Sequence, residues 1–485
     1  MKKPVKDMKI SLVMAGLMIG LLVAALDNSI MGTAMPKVIT SLGGMAYYVW
    51  PFTIYMLTST IAIILFGKLS DLYGRKKILM GGIVLFVLSS VACGFSQNMA
   101  ELILFRAIQG IGGGILITIP FIVVAEIFPP RQRGKYTGIL ASVFGLSNVF
   151  GPILGGFITD LLGWQWVFFV NVPVGIVAIS MLSMYFPHLK QAVREKVIDY
   201  SGIISLTLAL SSLFVALTYI RSSYLPGFVL DLLFIFAALM FVLFIHVERR
   251  AVEPVLPMHL FRLSVFNVSA VAMFLSSSVM FCAILYIPLF VQKVQGISAS
   301  ASGALITPML LSLTIASILT GQIIGRTGRY KRLGVLAFCL ITVGMALLTT
   351  MTPYTGAYEI LIYTTILGIG SGMMYPVFNV AMQNAVERRD IGIATASSQF
   401  FRNIGATVTL PIFGLIVNLT MNMDINVSNS VPIELMSTAM HNVFISGTVI
   451  SILGLLACLF LKDAFLSNSN ESNVFEETKP QEYPE

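Results

Sequence analysis

The composition of this 485-residue chain excludes a water-soluble globular protein, because 57% of its residues are apolar, only 11% are charged and the mean hydropathy is +0.90. Such a composition indicates an integral membrane protein. The formal net charge of +8 does not indicate nucleic-acid binding. The Lys and Arg residues are spread between apolar segments, and charges placed in this way report membrane topology.

Fourteen apolar runs follow one another along the chain, and each is long enough to cross a hydrocarbon core of about 30 Å as a helix. They predict spans at 11–34, 47–69, 77–97, 101–125, 134–161, 165–187, 200–220, 226–246, 265–291, 300–324, 333–352, 358–384, 392–418 and 439–461. The first run is too long for a signal peptide and has no small-residue cleavage site, so we interpret it as the first span.

The positive charges predict the side of the membrane that each loop faces. With a cytoplasmic N-terminus, most of the 30 Lys and Arg residues lie inside, and only Lys37, Arg221 and Lys293 fall outside. We therefore expect a multi-pass plasma-membrane protein with both termini in the cytoplasm. The polar residues 419–438 are then an external loop, and the acidic residues 463–485 are a disordered cytoplasmic tail.

Asp27 in the first span and Arg106 in the fourth are charged side chains inside apolar runs, where a charge is costly and needs a reason. They lie roughly 9 Å and roughly 8 Å below the outer ends of their helices, so their depths match. One interpretation is a proton-coupling pair, in which protonation of Asp27 releases Arg106 or a cationic substrate. The other is a permanent ion pair that keeps the two helices in register.

The loop between the second and third spans carries Gly67, Asp71, Gly74 and Arg75. A purely structural interpretation is a solvated turn, for which Gly74 supplies backbone freedom and Arg75 supplies the positive charge of an inner loop. Arg133, after the fourth span, lies on the same predicted side of the membrane. The resemblance of Gly67–Lys77 to a known loop signature implies that these residues form a conformational gate.

The fifth span contains an unusual group of helix-perturbing residues, namely Gly145, Gly151, Pro152, Gly155 and Gly156. Gly151 and Gly155 are four residues apart on one helix face, so a neighbouring helix can approach to backbone contact. Pro152 removes a hydrogen-bond donor and bends the helix. The segment therefore predicts a close helix contact that ordinary lipid-facing helices do not make.

A weak internal repeat predicts two related halves. The glycines Gly110, Gly112 and Gly114 of the fourth span recur as Gly368, Gly370 and Gly372 of the twelfth. Two six-helix bundles with an inserted helix pair explain the pattern. The predicted domains are residues 1–187 and 265–462 for the two bundles, 188–264 for linkers and inserted helices, and 463–485 for the tail.

Polar and soft side chains inside apolar helices are candidates for the lining of a substrate cavity, because a lipid-facing position would disfavour the polar ones. The set consists of Asn28, Tyr55, Gln109, Asn148, Tyr286, Met309, Tyr375, Asn379, Gln399 and Arg402. No acidic residue of the second half obviously pairs with Arg402. Its partner could be a backbone carbonyl, Gln383, Asn379 or an anionic group of a substrate. Its role could be structural or functional.

We expect no metal site, disulfide or nucleotide site. Cys93, Cys282, Cys339 and Cys458 each lie in a different span, and no Cys or His cluster has ligand spacing. The sequence has no G-x-x-x-x-G-K-[ST] motif, so ATP hydrolysis is not the expected energy source. It also lacks the clustered His, Asp or Ser residues that would favour a lipid-modifying enzyme.

The motifs together resemble a known family. Residues Gly67–Lys77 resemble the loop signature G-x-L-x-D-x-x-G-R-K-K of the major facilitator superfamily, and Leu102–Gly110 resembles its fourth-span motif with an intramembrane arginine. The fifth-span pattern resembles the antiporter motif of exporters in that superfamily. With Asp27 and the surrounding residues Leu26–Pro36, the chain is similar to the fourteen-helix drug–proton antiporter branch, the EmrB/QacA type.

This resemblance implies an all-α integral membrane protein with the major facilitator fold, in which two six-helix bundles are joined by two inserted central helices. It implies a proton-coupled exporter of amphipathic small molecules, hydrophobic or cationic, that uses the proton gradient without a cofactor. We expect such a protein to work as a monomer in the lipid bilayer of a bacterial plasma membrane. Asp71 and Arg75 would form a latch that joins the two halves in the outward-facing state.

One departure from the branch narrows the expected substrates. Some members carry extra carboxylates in the tenth or thirteenth span, whereas those spans have none here. This difference weakens the expectation that the substrates are divalent organic cations. The alternative is an exporter or flippase of a lipid, glycolipid, siderophore or metabolite with the same fold. A channel would not need the Gly-Pro bend or the loop signature.

Overall fold

The computed structural model describes residues 10–461 except 129, 187–198, 220–225, 252–253, 255, 257, 387–390 and 422–431. Most of the predicted first linker, the centre of the predicted external loop and the tail lie outside these residues. The described part forms fifteen α-helices and two 3₁₀ turns, at Met45–Tyr47 and Met258–Arg262. The helices are α1 (Ile10–Leu42), α2 (Trp50–Tyr73), α3 (Arg75–Gly94), α4 (Met99–Ile127), α5 (Pro130–Leu161), α6 (Trp166–Phe169), α7 (Asn171–Tyr185), α8 (Tyr200–Tyr219), α9 (Gly227–Glu248), α10 (Ser264–Lys293), α11 (Ala299–Thr327), α12 (Lys331–Thr349), α13 (Ala357–Asn384), α14 (Ile391–Met421) and α15 (Ile433–Leu459).

Within the described residues, fourteen helical stretches are long and apolar enough to cross a membrane, with α6 and α7 together forming the sixth. This confirms the all-α, fourteen-span fold class. Two helices run well beyond their predicted spans. Helix α1 continues to Leu42, because polar residues such as Lys37 and Thr40 extend the helix beyond its apolar run. Helix α15 begins at Ile433 and not at 439, so the last residues of the predicted external loop are helical. In the sixth span, Pro173 has no N–H to donate to the Phe169 carbonyl, but the backbone between α6 and α7 keeps helical φ and ψ values, so the two helices form one span.

The glycine repeat makes the same contacts in both halves. A Cβ added at Gly112 would lie 2.9 Å from the Gly82 carbonyl oxygen on α3, and one added at Gly370 would lie 2.7 Å from the Ala337 carbonyl oxygen on α12. The flanking glycines of α4 meet the backbone of α2, and those of α13 meet the backbone of α11. The repeated sequence therefore builds two equivalent three-helix contacts, α2–α4–α3 and α11–α13–α12.

Helices α8 and α9 pack on each other beside the junction of the two halves, and α8 also contacts α2 and α14. Leu57 of α2, Leu210 of α8, Phe244 of α9 and Phe400 of α14 belong to one hydrophobic cluster. Most of α9 faces away from the protein. The inserted pair thus lies along one helix from each half, and the predicted domain boundaries stay predictions.

The two halves meet through α1 with α10, α2 with α14 and α5 with α11. At the end where α11 begins, Asp160 of α5 accepts the backbone N–H of Ser300 at 2.7 Å. Nearby, Gln292 Nε2 donates to the Thr33 carbonyl oxygen at 3.0 Å and Lys293 Nζ donates to Thr40 Oγ1 at 2.5 Å. We call this region the closed end. At the other end of α11, a Cβ added at Gly321 would meet nothing within 4 Å.

Candidate transport site

Asp27 lies at the centre of a buried polar network in the first half. Its Oδ2 accepts a hydrogen bond from Arg106 Nη1 at 2.5 Å. Its Oδ1 accepts one from Gln109 Nε2 at 2.9 Å and one from Asn171 Nδ2 at 3.1 Å. None of the four side chains is more than 2% exposed. Helices α1, α4 and α7 therefore enclose one carboxylate, and the two oxygens of that carboxylate have different partners.

Ser90 of α3 adds a fourth helix to this network. Its Oγ accepts hydrogen bonds from the amide groups of both Gln109, at 2.6 Å, and Asn171, at 3.2 Å. Each amide thus donates both to Asp27 and to Ser90. The two hydrogen bonds of each amide fix its orientation, with the N–H groups toward Asp27. An N–H group is only a donor, so neither amide can accept a proton from Asp27 at this contact.

Arg106 makes contacts on several sides, but not all of its hydrogen-bond donors have an acceptor among the described residues. Its Nη1 also donates to Gln109 Oε1 at 2.8 Å, and its Nε donates to the Pro51 carbonyl oxygen at 3.2 Å. The guanidinium carbon lies 4.2 Å from the centre of the Tyr55 ring, within cation–π distance. Its Nη2 and the Tyr55 hydroxyl have no hydrogen-bond partner among the described residues. Arg106 therefore keeps donor capacity that Asp27 does not use.

The predicted cavity residues fall into two groups. Tyr55, Gln109, Tyr286 and Met309 are fully buried, and Gln109 belongs to the Asp27 network. The other six are only partly buried, and they are Asn28, Asn148, Tyr375, Asn379, Gln399 and Arg402. The role of both groups in substrate contact stays a prediction.

In the second half, a polar cluster surrounds Arg402 at the contact of α13 and α14. Gln399 Nε2 donates to the Tyr375 hydroxyl at 2.7 Å, and the Arg402 guanidinium carbon lies 5.7 Å from the Tyr375 ring centre. Asn379 Oδ1 accepts from Ser398 Oγ at 3.2 Å. The structure thus brings four predicted residues of this half together.

The glycines of the fifth span make two different close contacts. A Cβ added at Gly155 would lie 2.6 Å from Thr33 Oγ1 and 2.9 Å from the Ile30 carbonyl oxygen, both on α1, and Gly151 faces Ser29 of the same helix. On another face, Gly156 meets the start of α11, and the Pro152 carbonyl meets Gly303 of α11. Gly145 also faces α11, through Thr314. Helix α5 therefore packs against its own half and against the other half at once.

The predicted gate is described only in part. Gly74 has a φ of +97°, which favours glycine, and it separates α2 from α3. Arg75 Nη1 donates to the Gly67 carbonyl oxygen at 3.1 Å and to Ser70 Oγ, both at the end of α2. The side chains of Asp71 and Arg133 lie outside the described residues. The latch between the halves stays a prediction.

Sequence reasoning missed Asn171, Ser90 and Asp160. Asn171 is the one amide in its stretch of the sixth apolar run, which was a signal of the same kind as Asp27. Ser90 gave no signal, since serine is common in membrane helices. Asp160 lies at the end of a span, where a carboxylate is expected to be solvated, and its partners are more than 130 residues away in sequence.

Comparisons with known proteins agree with this architecture. The sequence model of the Major Facilitator Superfamily matches residues 17–410. The chain is 38% identical to the multidrug transporter protein MdtP of Bacillus subtilis (strain 168), over 86% of this chain and 77% of that protein. It is 36% identical to multidrug resistance protein 3 of the same organism, over 85% and 80%.

Among solved structures, the chain resembles a bacterial homologue of the human lysosomal transporter Spinster in its inward-facing, unoccupied conformation. The TM-score is 0.66 at 14% identity, and the match covers 95% of this chain and 98% of that chain. At this identity the likeness shows the fold alone, and it confirms the major facilitator fold.

Proposed function

We propose that this chain, which belongs to the Major Facilitator Superfamily, is a proton-coupled exporter of chemically varied amphipathic small molecules. The protein is a multi-pass membrane transporter and not an enzyme. Its Bacillus relatives are named for multidrug transport and resistance, which supports the cargo class. The observation that carries the proton coupling is the enclosed carboxylate of Asp27 with its two unlike oxygens.

The geometry around Asp27 favours a switch over a permanent ion pair. Two amides donate to Oδ1, so an incoming proton is directed to the acceptor site of Oδ2 that Arg106 Nη1 leaves unused. The proton removes the negative charge that holds Arg106, and the ion pair is thereby weakened. When Asp27 is neutral, Arg106 keeps its bonds to Gln109 and Pro51, and its Nη2 together with one N–H of Nη1 is available to another acceptor.

Helix α1, which carries Asp27, couples protonation of this residue mechanically to the closed end. Ser29, Ile30 and Thr33 follow Asp27 on α1 and form the surface on which Gly151 and Gly155 of α5 pack. Helix α5 in turn contacts α11 of the other half. A small displacement of α1 on protonation would reach the contact between the halves through two rigid, closely packed helices.

A transport assay tests this proposal. The protein is reconstituted in proteoliposomes, and uptake of a panel of amphipathic dyes is driven by an imposed pH gradient. We expect Asp27→Asn to abolish gradient-driven uptake while dye binding is retained, because the amide cannot gain and lose a proton. Asp231→Asn, an exposed carboxylate on α9, is the matched control and should transport normally.

Two results would overturn the assignment. Uptake by Asp27→Asn at the wild-type rate would show that another group carries the proton. Uptake of every dye without any proton flux in the wild-type protein would remove the coupling altogether. Transport restricted to labelled lipids would favour the alternative, in which the same fold exports a lipid or a glycolipid.

We also propose that both termini are cytoplasmic, so that the closed end faces outward. In a cysteine-free background, Asn426→Cys should react with an impermeant maleimide in intact cells, whereas Ser469→Cys should react only after permeabilisation. Reaction of both positions in intact cells would contradict this topology. Because Cys93 Sγ lies 3.6 Å from Gln109 Oε1, the cysteine-free protein is first shown to transport dye like the wild type.

A further inference from the structure

Arg402 has no countercharge among the described residues. It lies eleven residues into α14, inside a membrane-spanning stretch. Within the described part of the chain its buried Nε has no hydrogen-bond partner, and no carboxylate or carbonyl there accepts a hydrogen bond from the guanidinium. The side chain is only partly buried. Because a bare guanidinium is costly against lipid, its accessible part must face a polar, water-accessible space.

No described carboxylate forms an ion pair with Arg402. The described acidic residues of α10 to α15 are Glu359 and Glu434, and both lie in the first turns of their helices. Glu359 is sixteen residues from Tyr375 on α13, which is roughly 24 Å along the helix axis. Asp27 of the first half is already bound by Arg106, and the buried Glu248 of α9 accepts the backbone N–H of Leu256. The region around Arg402 therefore has a positive charge that no described carboxylate neutralises.

The neighbours of Arg402 also present donors. The Tyr375 hydroxyl accepts a hydrogen bond from Gln399 Nε2, so its own hydrogen is left to donate. The guanidinium carbon lies 5.7 Å from the centre of the same ring, so the two donor groups are neighbours. Donors with a positive charge and no carboxylate are the arrangement that binds an anion.

We infer that Arg402 and Tyr375 form an anion-binding subsite, and that the preferred cargo is an amphipathic molecule with a single carboxylate, sulfonate or phosphate group. This inference rests on the proposed export function and refines its substrate class. The sequence-based expectation of cationic cargo conflicts with it, since a cation would enter a region with net positive charge. Protonation of Asp27 would add to that charge and strengthen the preference.

A matched pair of dyes tests the subsite. A fluorescent xanthene dye with one carboxylate and its methyl ester are compared in proteoliposomes of zwitterionic lipid under the same pH gradient. We expect Arg402→Gln to lower uptake of the carboxylate dye at least about tenfold, the loss typical of a charged hydrogen bond, and to leave the ester unchanged. Arg402→Lys should restore part of the preference. Arg326→Gln, which removes an exposed arginine from α11, is the control for net charge.

A second arm separates soluble anions from lipid anions. The same variants are tested for movement of a labelled phosphatidylglycerol between leaflets, and a loss in Arg402→Gln there would assign the subsite to an anionic headgroup. Equal loss of acid and ester uptake would overturn the subsite, as would equal uptake by wild type and Arg402→Gln. Absence of uptake of both dyes by the wild-type protein would instead count against the proposed export function, so the two failures are distinguishable.

Discussion

The two halves pack in the same way but hold their buried arginines differently. Arg106 of the first half is fully enclosed and bound by Asp27, Gln109 and the Pro51 carbonyl. Arg402 of the second half is partly accessible, contacts the Tyr375 ring and pairs with no carboxylate of the described residues. The difference teaches that a duplicated helix scaffold can keep its backbone contacts while its charged residues have different surroundings. The two proposals accordingly assign the proton to the first half and an acidic group of the cargo to the second.

The largest expected difference between the halves concerns the stability of the two arginine sites. Arg106→Gln should destabilise the protein by about 3–5 kcal/mol, because it leaves the buried Asp27 carboxylate without its countercharge. Arg402→Gln should cost less than about 1 kcal/mol, since it removes no ion pair. Thermal denaturation of the purified protein in detergent measures both.

The double variant Asp27→Asn with Arg106→Gln provides the control, since it removes both charges and should recover most of the lost stability. Equal destabilisation by Arg106→Gln and Arg402→Gln would break the comparison. It would mean that Arg402 also has a structural partner.

The packing of the two halves should respond equally to substitution. Gly112→Ala and Gly370→Ala should each cost about 1–3 kcal/mol, because the added Cβ overlaps backbone atoms of α3 in one half and of α12 in the other. Gly321→Ala meets open space and serves as the control. Thermal denaturation is again the measurement, and a cost in only one half would show that the repeat is not equivalent.

The close contacts of α5 with α1 and α11 should be required for transport. Gly155→Leu and Gly303→Leu should block dye uptake, because each forces apart helices that are in backbone contact. Gly321→Leu should transport at the wild-type rate. Normal uptake by both blocked variants would contradict the role given to α5 as the link between α1 and α11.

The smallest effect is expected from Asn171, which positions the Asp27 carboxylate without exchanging protons. Asn171→Leu removes one of the two amide donors to Oδ1 but leaves Gln109 Nε2 and Arg106 Nη1 in place. Dye uptake driven by the pH gradient should therefore fall by about tenfold and not be abolished, which is the effect of one hydrogen bond. Uptake at the wild-type rate would contradict the positioning role, and loss of the folded protein would indicate a structural role only.

Much of this fold was predictable because apolar length and charge asymmetry dominate a membrane protein. The match in depth between Asp27 and Arg106 also predicted their contact, since helix rise converts sequence position into depth. Helix rotation was not predictable in the same way. Gln109 was assigned to the cavity, but the turn of α4 directs it to Asp27 and Ser90.

The partners of Asn171 could not be predicted for the same reason. An amide inside an apolar run signals a buried polar contact, but the rotation of α7 about its axis decides that the contact is with Asp27 and Ser90. The contacts of Asp160 depend on how the halves meet, and the sequence of either half contains no information on that geometry. Contacts across the halves were therefore the least predictable part of the site.

The closed end has a consequence for the range of molecules that can drive the cycle. Asp160, Gln292 and Lys293 hold it with hydrogen bonds, each of which contributes about 0.5–3 kcal/mol because water competes for the same groups. The close packing of α5 on the start of α11 adds to them. A ligand shifts a two-state equilibrium by the difference in its affinity for the two states, and not by its total affinity. Under the proposed export function, molecules of unlike shape therefore need to share only one property, a higher affinity for the state in which this end is open.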